Sequence, residues 1–242
     1  MSTLYYRDLG RIQYSSALTL QEQLVDQKKR NPSPDYLLVV EHPHVYTIGR
    51  GGDIKNILAP REVPVHRASR GGDVTYHGPG QIVVYPIIDL RSKLRKDVHR
   101  YLRNLETAVI RTLQDFTLPV GRRPPYTGIW IDNRKIAAIG LAVSRGITYH
   151  GLALNLKPDL SYFQRIIPCG LSWAGVTSMA KELGTEPSRQ EVTDKFLQHF
   201  AELFDYTDVQ KALEDLSWCT DNAKSDGTVK WLERLGTLES VK

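Results

Sequence analysis

Between residues 127 and 156, apolar residues recur at every second position through three runs, TGIWID, KIAAIGLAVS and ITYHGLALNL. Only Asn133-Arg134 and Arg145-Gly146 separate the runs. A period of two puts alternate side chains on opposite faces of a strand, and two-residue turns leave no room for a crossover. The segment is therefore predicted to be an antiparallel β-meander, and any fold of the chain must hold it as a contiguous part of one sheet. QIVVYPII, opened by Gly78-Pro79-Gly80, reads as a further strand. PDYLLVVEHPHVYTIG reads as two short strands, 37–40 and 45–48, kinked into a hairpin at His42-Pro43-His44.

Helical periodicity appears elsewhere. Residues 14–29 bring Tyr14, Ala17, Leu18, Leu24 and Val25 near one face, and in 97–117 apolar side chains from Val98 to Phe116 recur at three- and four-residue steps. Asp97 can cap the second helix, and Ser188 with Glu191 forms a capping box ahead of Val192, Phe196, Phe200 and Phe204. Helices and strands do not alternate regularly, which favours an α+β fold over a doubly wound parallel sheet. A chain of 242 residues can bury one sizeable core. We expect a catalytic domain over 1–207 and an accessory segment over 208–242.

Composition narrows the class. No stretch reaches the roughly 20 apolar residues that span a bilayer, and the N-terminus lacks the form of a secretory signal, so a cytoplasmic protein without membrane attachment is expected. Lys and Arg number 32 against 27 Asp and Glu, an excess of 5 spread through QKKR, LRSKLRK and GRRPP. Such a surface suits acidic partners, but it lacks the basic stripe interleaved with aromatics that marks a nucleic-acid binder. His42 and His44 lack the cysteine pair or H-E-x-x-H that would complete a metal site. With only Cys169 and Cys219, free thiols are expected rather than a disulfide framework.

Two features carry chemistry. Gly71-Gly72 and Gly78-Pro79-Gly80 fit no phosphate-loop pattern, because a strand follows them, but they allow close backbone approach to a ligand. RGGD occurs twice, at 50–53 and 70–73, and only the second copy continues into VTYHGPGQ. In QRIIPCGLSWAG, Cys169 stands between a constrained Pro168 and a permissive Gly170, a setting that can present sulfur to a cleft with the Gly170 and Leu171 amides facing an oxyanion. A free thiol, with a pKa of about 8.5, needs a helper to ionise, and Lys135, His77 and His150 are candidates. An ammonium about 4 Å from a thiolate is worth roughly 4 kcal/mol at an effective dielectric near 20. Strict alternation would put Lys135 on the face of Ala137, Ile139 and Leu141.

Taken together, RGGDVTYHGPGQIVVYP, RKIAAIGLAVSRGITYHGLALNL and IIPCGL followed by VTSM resemble the signature blocks of the octanoyltransferases of lipoate synthesis, in order and spacing, from about residue 5 to 205. The resemblance implies a mixed β-sheet flanked by helices, like the catalytic domain of biotin and lipoate protein ligases. It implies an acyltransferase of protein lipoylation that moves an octanoyl or lipoyl group from acyl carrier protein to one lysine of a lipoyl domain, with no cofactor and no metal. The acceptors it implies are the lipoyl domains of 2-oxoacid dehydrogenase complexes and the glycine cleavage H protein. Carried over by position, Cys169 is the acyl-thioester nucleophile and Lys135 the residue that activates it and moves protons. Arg70, Gly71, Gly72, Asp73, Val74, Thr75, Tyr76 and His77, with Ala138, Ile139, Gly140, Gly151, Leu152 and Ala153, match the substrate-binding stretches. Ile139, Leu141, Leu152 and Leu154 are then expected to wall the acyl chain. The rival readings are an ATP-dependent lipoate or biotin ligase on the same fold, which needs no cysteine, and a cysteine hydrolase.

Overall fold

The computed structural model describes residues 2–31 and 33–212. Its large sheet runs in the order β12 (Asp208–Lys211), β1 (Thr3–Arg11), β2 (Asp35–Glu41), β6 (Gln81–Ile87), β10 (Ile147–Asn155), β9 (Arg134–Ser144), β8 (Tyr126–Ile131) and β7 (Gly121–Arg123). β1 is parallel to β2 and to β12, whereas the run from β2 to β7 is antiparallel throughout. The mixed sheet and the 127–156 meander match the sequence reading.

Each face of this sheet has its own helical cover. Leu37, Val39, Ile82, Val84, Leu152 and Leu154 pack into one core with α2 (Val98–Gln114) and α3 (Arg189–Leu203). The alternate residues Leu38, Val40, Val83, Tyr85 and Ala153 pack on the other side with Ala17, Leu20 and Leu24 of α1 (Tyr14–Arg30). The long helices start where the sequence provides caps: Asp97 accepts from the Arg100 amide at 2.8 Å and Ser188 from the Glu191 amide at 3.4 Å. Val98, in the first turn of α2, is exposed rather than in the apolar stripe.

A second, smaller sheet orders β4 (Val65–Arg67), β3 (Val45–Ile48) and β5 (Val74–His77). The expected hairpin at His42-Pro43-His44 is therefore corrected: β2 and β3 belong to different sheets, and the turn at Pro43 carries the chain between them. The alternation of β1 is interrupted by Arg7 and Asp8, and its strand form rests on parallel pairing with β2, which α1 brings alongside. β12, the first four residues of the expected accessory segment, lies on β1; residues 213–242, with Cys219, lie outside the described residues. Among the described residues no helix is long and apolar enough to cross a membrane.

Candidate active site

Lys135 is the second residue of β9, and its Nζ stands 3.0 Å from Cys169 Sγ. The sequence reading put Lys135 on the face of Ala137, Ile139 and Leu141, and the structure corrects it. Ile129 pairs with Ala137 and the next residue, Trp130, pairs with Lys135, so Ile136 is an extra residue in a β-bulge. The bulge sends Ile136 and Ala137 into the α2/α3 core and leaves Lys135, nine-tenths buried, in a hollow shared with Ala138, Ala153 and Cys169.

Cys169 is held in a short turn, Pro168–Gly170, with φ of 56° and ψ of 21°. A left-handed conformation at a non-glycine residue is uncommon and marks a side chain fixed by its surroundings. Two anchors fix this turn. The Ile167 amide donates to the Asn56 carbonyl at 2.7 Å, and β11 (Gly175–Val176) pairs with Arg134 and Lys135 of β9. Gly170 and Leu171 do not supply free oxyanion donors as expected, because their amides donate within the turn, to Ile167 and Pro168 carbonyls at 3.1 Å each.

From Cys169 a narrow cleft opens between the α1 face of the large sheet and β5. Its floor is made by small residues in register: Ala138 opposite Ala153, Gly140 opposite Gly151, and Val83 on the other side of Ala153. The second RGGD forms one wall, and the first RGGD lies behind it, with the Gly49 amide donating to the Asp73 carbonyl at 3.2 Å and the Gly51 amide to Gly72 at 3.2 Å. Asp73 clasps the two segments: Oδ1 accepts from the Asp53 and Val74 amides at 3.2 and 2.7 Å, and Oδ2 from Asn56 Nδ2 at 2.5 Å. Gly151 must lack a side chain, since a Cβ there would collide with the Val84 carbonyl.

Away from the thiol the lining turns polar. Arg70 donates to the Thr47 carbonyl and hydroxyl at 2.8 and 2.7 Å and to the Gly71 carbonyl at 3.0 Å, while its Nε has no protein partner. Burial pulls the Arg70 guanidinium below its ordinary value, and the nearby Cys169 counts among the groups that oppose this. Tyr14 Oη and His77 Nδ1 are likewise buried without a protein partner in the same cleft. Burial keeps three histidines here neutral: His42 and His150 are pulled down to about 4, and His77 well below its ordinary value. His42 Nδ1 therefore donates to the Ile12 carbonyl and its Nε2 accepts from the Tyr85 hydroxyl, both at 2.8 Å.

The model of the lipoyl protein ligase A/B catalytic domain matches residues 13–201. The chain belongs to this family. An octanoyltransferase of Solibacter usitatus is 53% identical over 207 residues, covering 83% of this chain and 92% of that one. Among solved structures, a lipoate-protein ligase A bound with ATP superposes with a TM-score of 0.68 at 15% identity, over 87% of each chain. A biotin protein ligase of Aquifex aeolicus in complex with biotin and ATP superposes with a TM-score of 0.50 at 15% identity, over 85% of this chain and 71% of that one. These likenesses give the fold inferred from sequence.

Within this lipoyl ligase A/B domain, the expected substrate residues Arg70 to Thr75, His77, Ala138, Ile139, Gly140, Gly151, Leu152 and Ala153 all line the cleft with Cys169. Tyr76 does not. It points the other way, into a cluster with Tyr46 and Phe163, because alternate residues of β5 face opposite sides. Of the four expected acyl walls, all of which pack in or against the core under α2 and α3, Ile139 and Leu152 line the cleft and Leu141 and Leu154 do not. Tyr14, Val83 and Tyr85 were missed as lining residues; the alternation of Val83 with Tyr85 in QIVVYPII was the available signal. His77 and His150, the other candidate helpers, line the cleft, but the sulfur's polar neighbour is Lys135.

Proposed function

We propose that the protein is an octanoyltransferase that carries an octanoyl or lipoyl group as a thioester on Cys169 and delivers it to a lysine of a lipoyl domain. The observation that carries this reading is the Lys135 Nζ to Cys169 Sγ distance of 3.0 Å at one end of a cleft floored by Ala138, Gly140, Gly151 and Ala153. The name of the relative at 53% identity supports the octanoyl group as cargo.

The chemistry balances on this pair. The Cys169 thiolate, its charge compensated by the Lys135 ammonium, attacks the carbonyl of the incoming acyl thioester. With the Gly170 and Leu171 amides engaged in their own turn, stabilisation of the oxyanion falls to the cationic groups, Lys135 and Arg70. The pantetheine sulfur leaves and takes a proton from Lys135, which becomes a neutral amine. The acceptor lysine attacks the Cys169 thioester as its free amine, and the neutral Lys135 takes the one proton the attacking nitrogen sheds, so an amide forms, the Cys169 thiolate is released and Lys135 is again an ammonium. Conversion of thioester to amide runs downhill and needs no nucleotide.

The donor in this proposal is octanoyl-acyl carrier protein, and the acceptors are the lipoyl domains of 2-oxoacid dehydrogenase complexes and the glycine cleavage H protein. The excess of 5 basic residues suits acidic carriers. The test is transfer from octanoyl-acyl carrier protein to an apo lipoyl domain in nucleotide-free buffer. The reading expects an octanoylated lysine; strict ATP dependence would favour the ligase reading, and release of free octanoate the hydrolase.

A further inference from the structure

Lys135 has no carboxylate within salt-bridge distance among the described residues. What it has is the face of Trp130, with Nζ 4.7 Å from the ring centroid. Trp130 is buried, 3% exposed, directly across β8–β9 from Lys135 in register, and its indole Nε1 has no protein hydrogen-bond partner. The lysine stem passes over Gly128, whose missing Cβ would lie 3.3 Å from Lys135 Cε. One face of the indole thus meets the ammonium.

The same indole meets the loop of the nucleophile. Trp173, four residues after Cys169, stacks on Trp130 with centroids 5.9 Å apart and planes 14° from parallel. Tyr126 closes the group, 5.2 Å from Trp173, and the Arg123 guanidinium lies 5.0 Å over Trp173. Trp130 therefore touches Lys135 directly and reaches the loop that carries Cys169 through Trp173.

We propose that Trp130 is a positioning residue, holding the Lys135 ammonium against the Cys169 sulfur by cation–π attraction and registering the Cys169 loop through its stack with Trp173. Attraction to the ring favours only the charged lysine. It therefore steadies the ammonium beside the thiolate before acyl transfer and favours return of the proton to Lys135 when the acceptor amine attacks. The inference rests on the octanoyltransferase reading for its meaning in turnover, but its test does not require acyl transfer.

The experiment is alkylation of Cys169 by iodoacetamide from pH 5.5 to 9 in the full chain and in Trp130→Phe and Trp130→Leu, with the modified cysteine located by peptide mass. Arg70, whose charge also reaches Cys169, and the neutral Thr75, Gln81 and Asn155 of the Lys135 hollow are the same in all three proteins. Trp130→Leu is expected to lose at least about fivefold in alkylation rate near pH 6.5, which corresponds to a cation–π contact of about 1 kcal/mol or more, and to recover at high pH. Trp130→Phe, which keeps an aromatic face, is expected to hold more than half of the wild-type rate and to fold if the leucine variant does not. Identical pH profiles in the phenylalanine variant, the leucine variant and the wild type overturn the proposal. So does a loss by the same factor at every pH, which is the mark of a purely structural role. Failure of wild-type octanoyl transfer, measured separately, would overturn the enzymatic reading instead.

Discussion

The Arg50 amide donates to the Arg70 carbonyl at 2.9 Å, so the two RGGD copies lie side by side, one supporting the other. Their side chains have different fates: Arg50 is exposed, whereas Arg70 is 8% exposed and lines the cleft. Arg70→Ala removes the donors to Thr47 and a cation near the sulfur, and should lower kcat/KM for transfer by roughly 10- to 100-fold. Arg50→Ala, which leaves the backbone pairing intact, should stay within about threefold, less than the 1.4 kcal/mol that a factor of ten represents. Equal losses in a steady-state assay would show that both side chains act at the site.

Much of this was legible in the sequence, because the features concerned are local. The meander showed in its period of two and the capped helices in Asp97 and Ser188, whereas the cleft residues Ala138, Gly140, Gly151 and Ala153 were reached only through the family resemblance. What stayed hidden depends on partners distant in sequence. A bulge at Ile136 follows from how β8 and β9 register, which no periodicity within β9 reports. The commitment of the Gly170 and Leu171 amides follows from the left-handed turn at Cys169. β1 becomes a strand by pairing with β2 across α1, and Tyr14 reaches the cleft only because that helix packs on the sheet beside it.

The floor at Ala153 sets the room available to an acyl chain. Its side chain lies between Val83 and Ala138 in register, within the cleft. Ala153→Leu fills that space, at a stability cost of about 1–3 kcal/mol for overpacking. Acyl-enzyme formation from a set of thioesters, followed by mass spectrometry, should show octanoyl loading reduced more than butyryl loading. A uniform change for all lengths would place the chain elsewhere.

Acid should destabilise the fold through the buried histidines. For His42 and His150, protonation is held down to about 4 in the folded protein, against 6.5 ordinarily, because burial disfavours the charged ring. The unfolded chain therefore takes up protons first as pH falls. The stabilisation is complete above about pH 6.5 and is lost progressively toward pH 4, on the order of 3 kcal/mol per histidine. Urea midpoints measured from pH 7.5 to 4.5 should fall below pH 6.5, and His150→Asn should fall less steeply. A flat midpoint across that range would mean that these rings are solvated.

The Cys169–Lys135 contact is tested most directly by intact mass after rapid mixing with octanoyl-acyl carrier protein without nucleotide. The account predicts a gain of one octanoyl group, located by peptide mapping at Cys169 and discharged when an apo lipoyl domain is added. It predicts no adduct in Cys169→Ala and, in Lys135→Met, slower loading by roughly 100-fold or more, as expected when a proton-transfer group is removed. Full turnover by Cys169→Ala, or an adduct on any other residue, would contradict it.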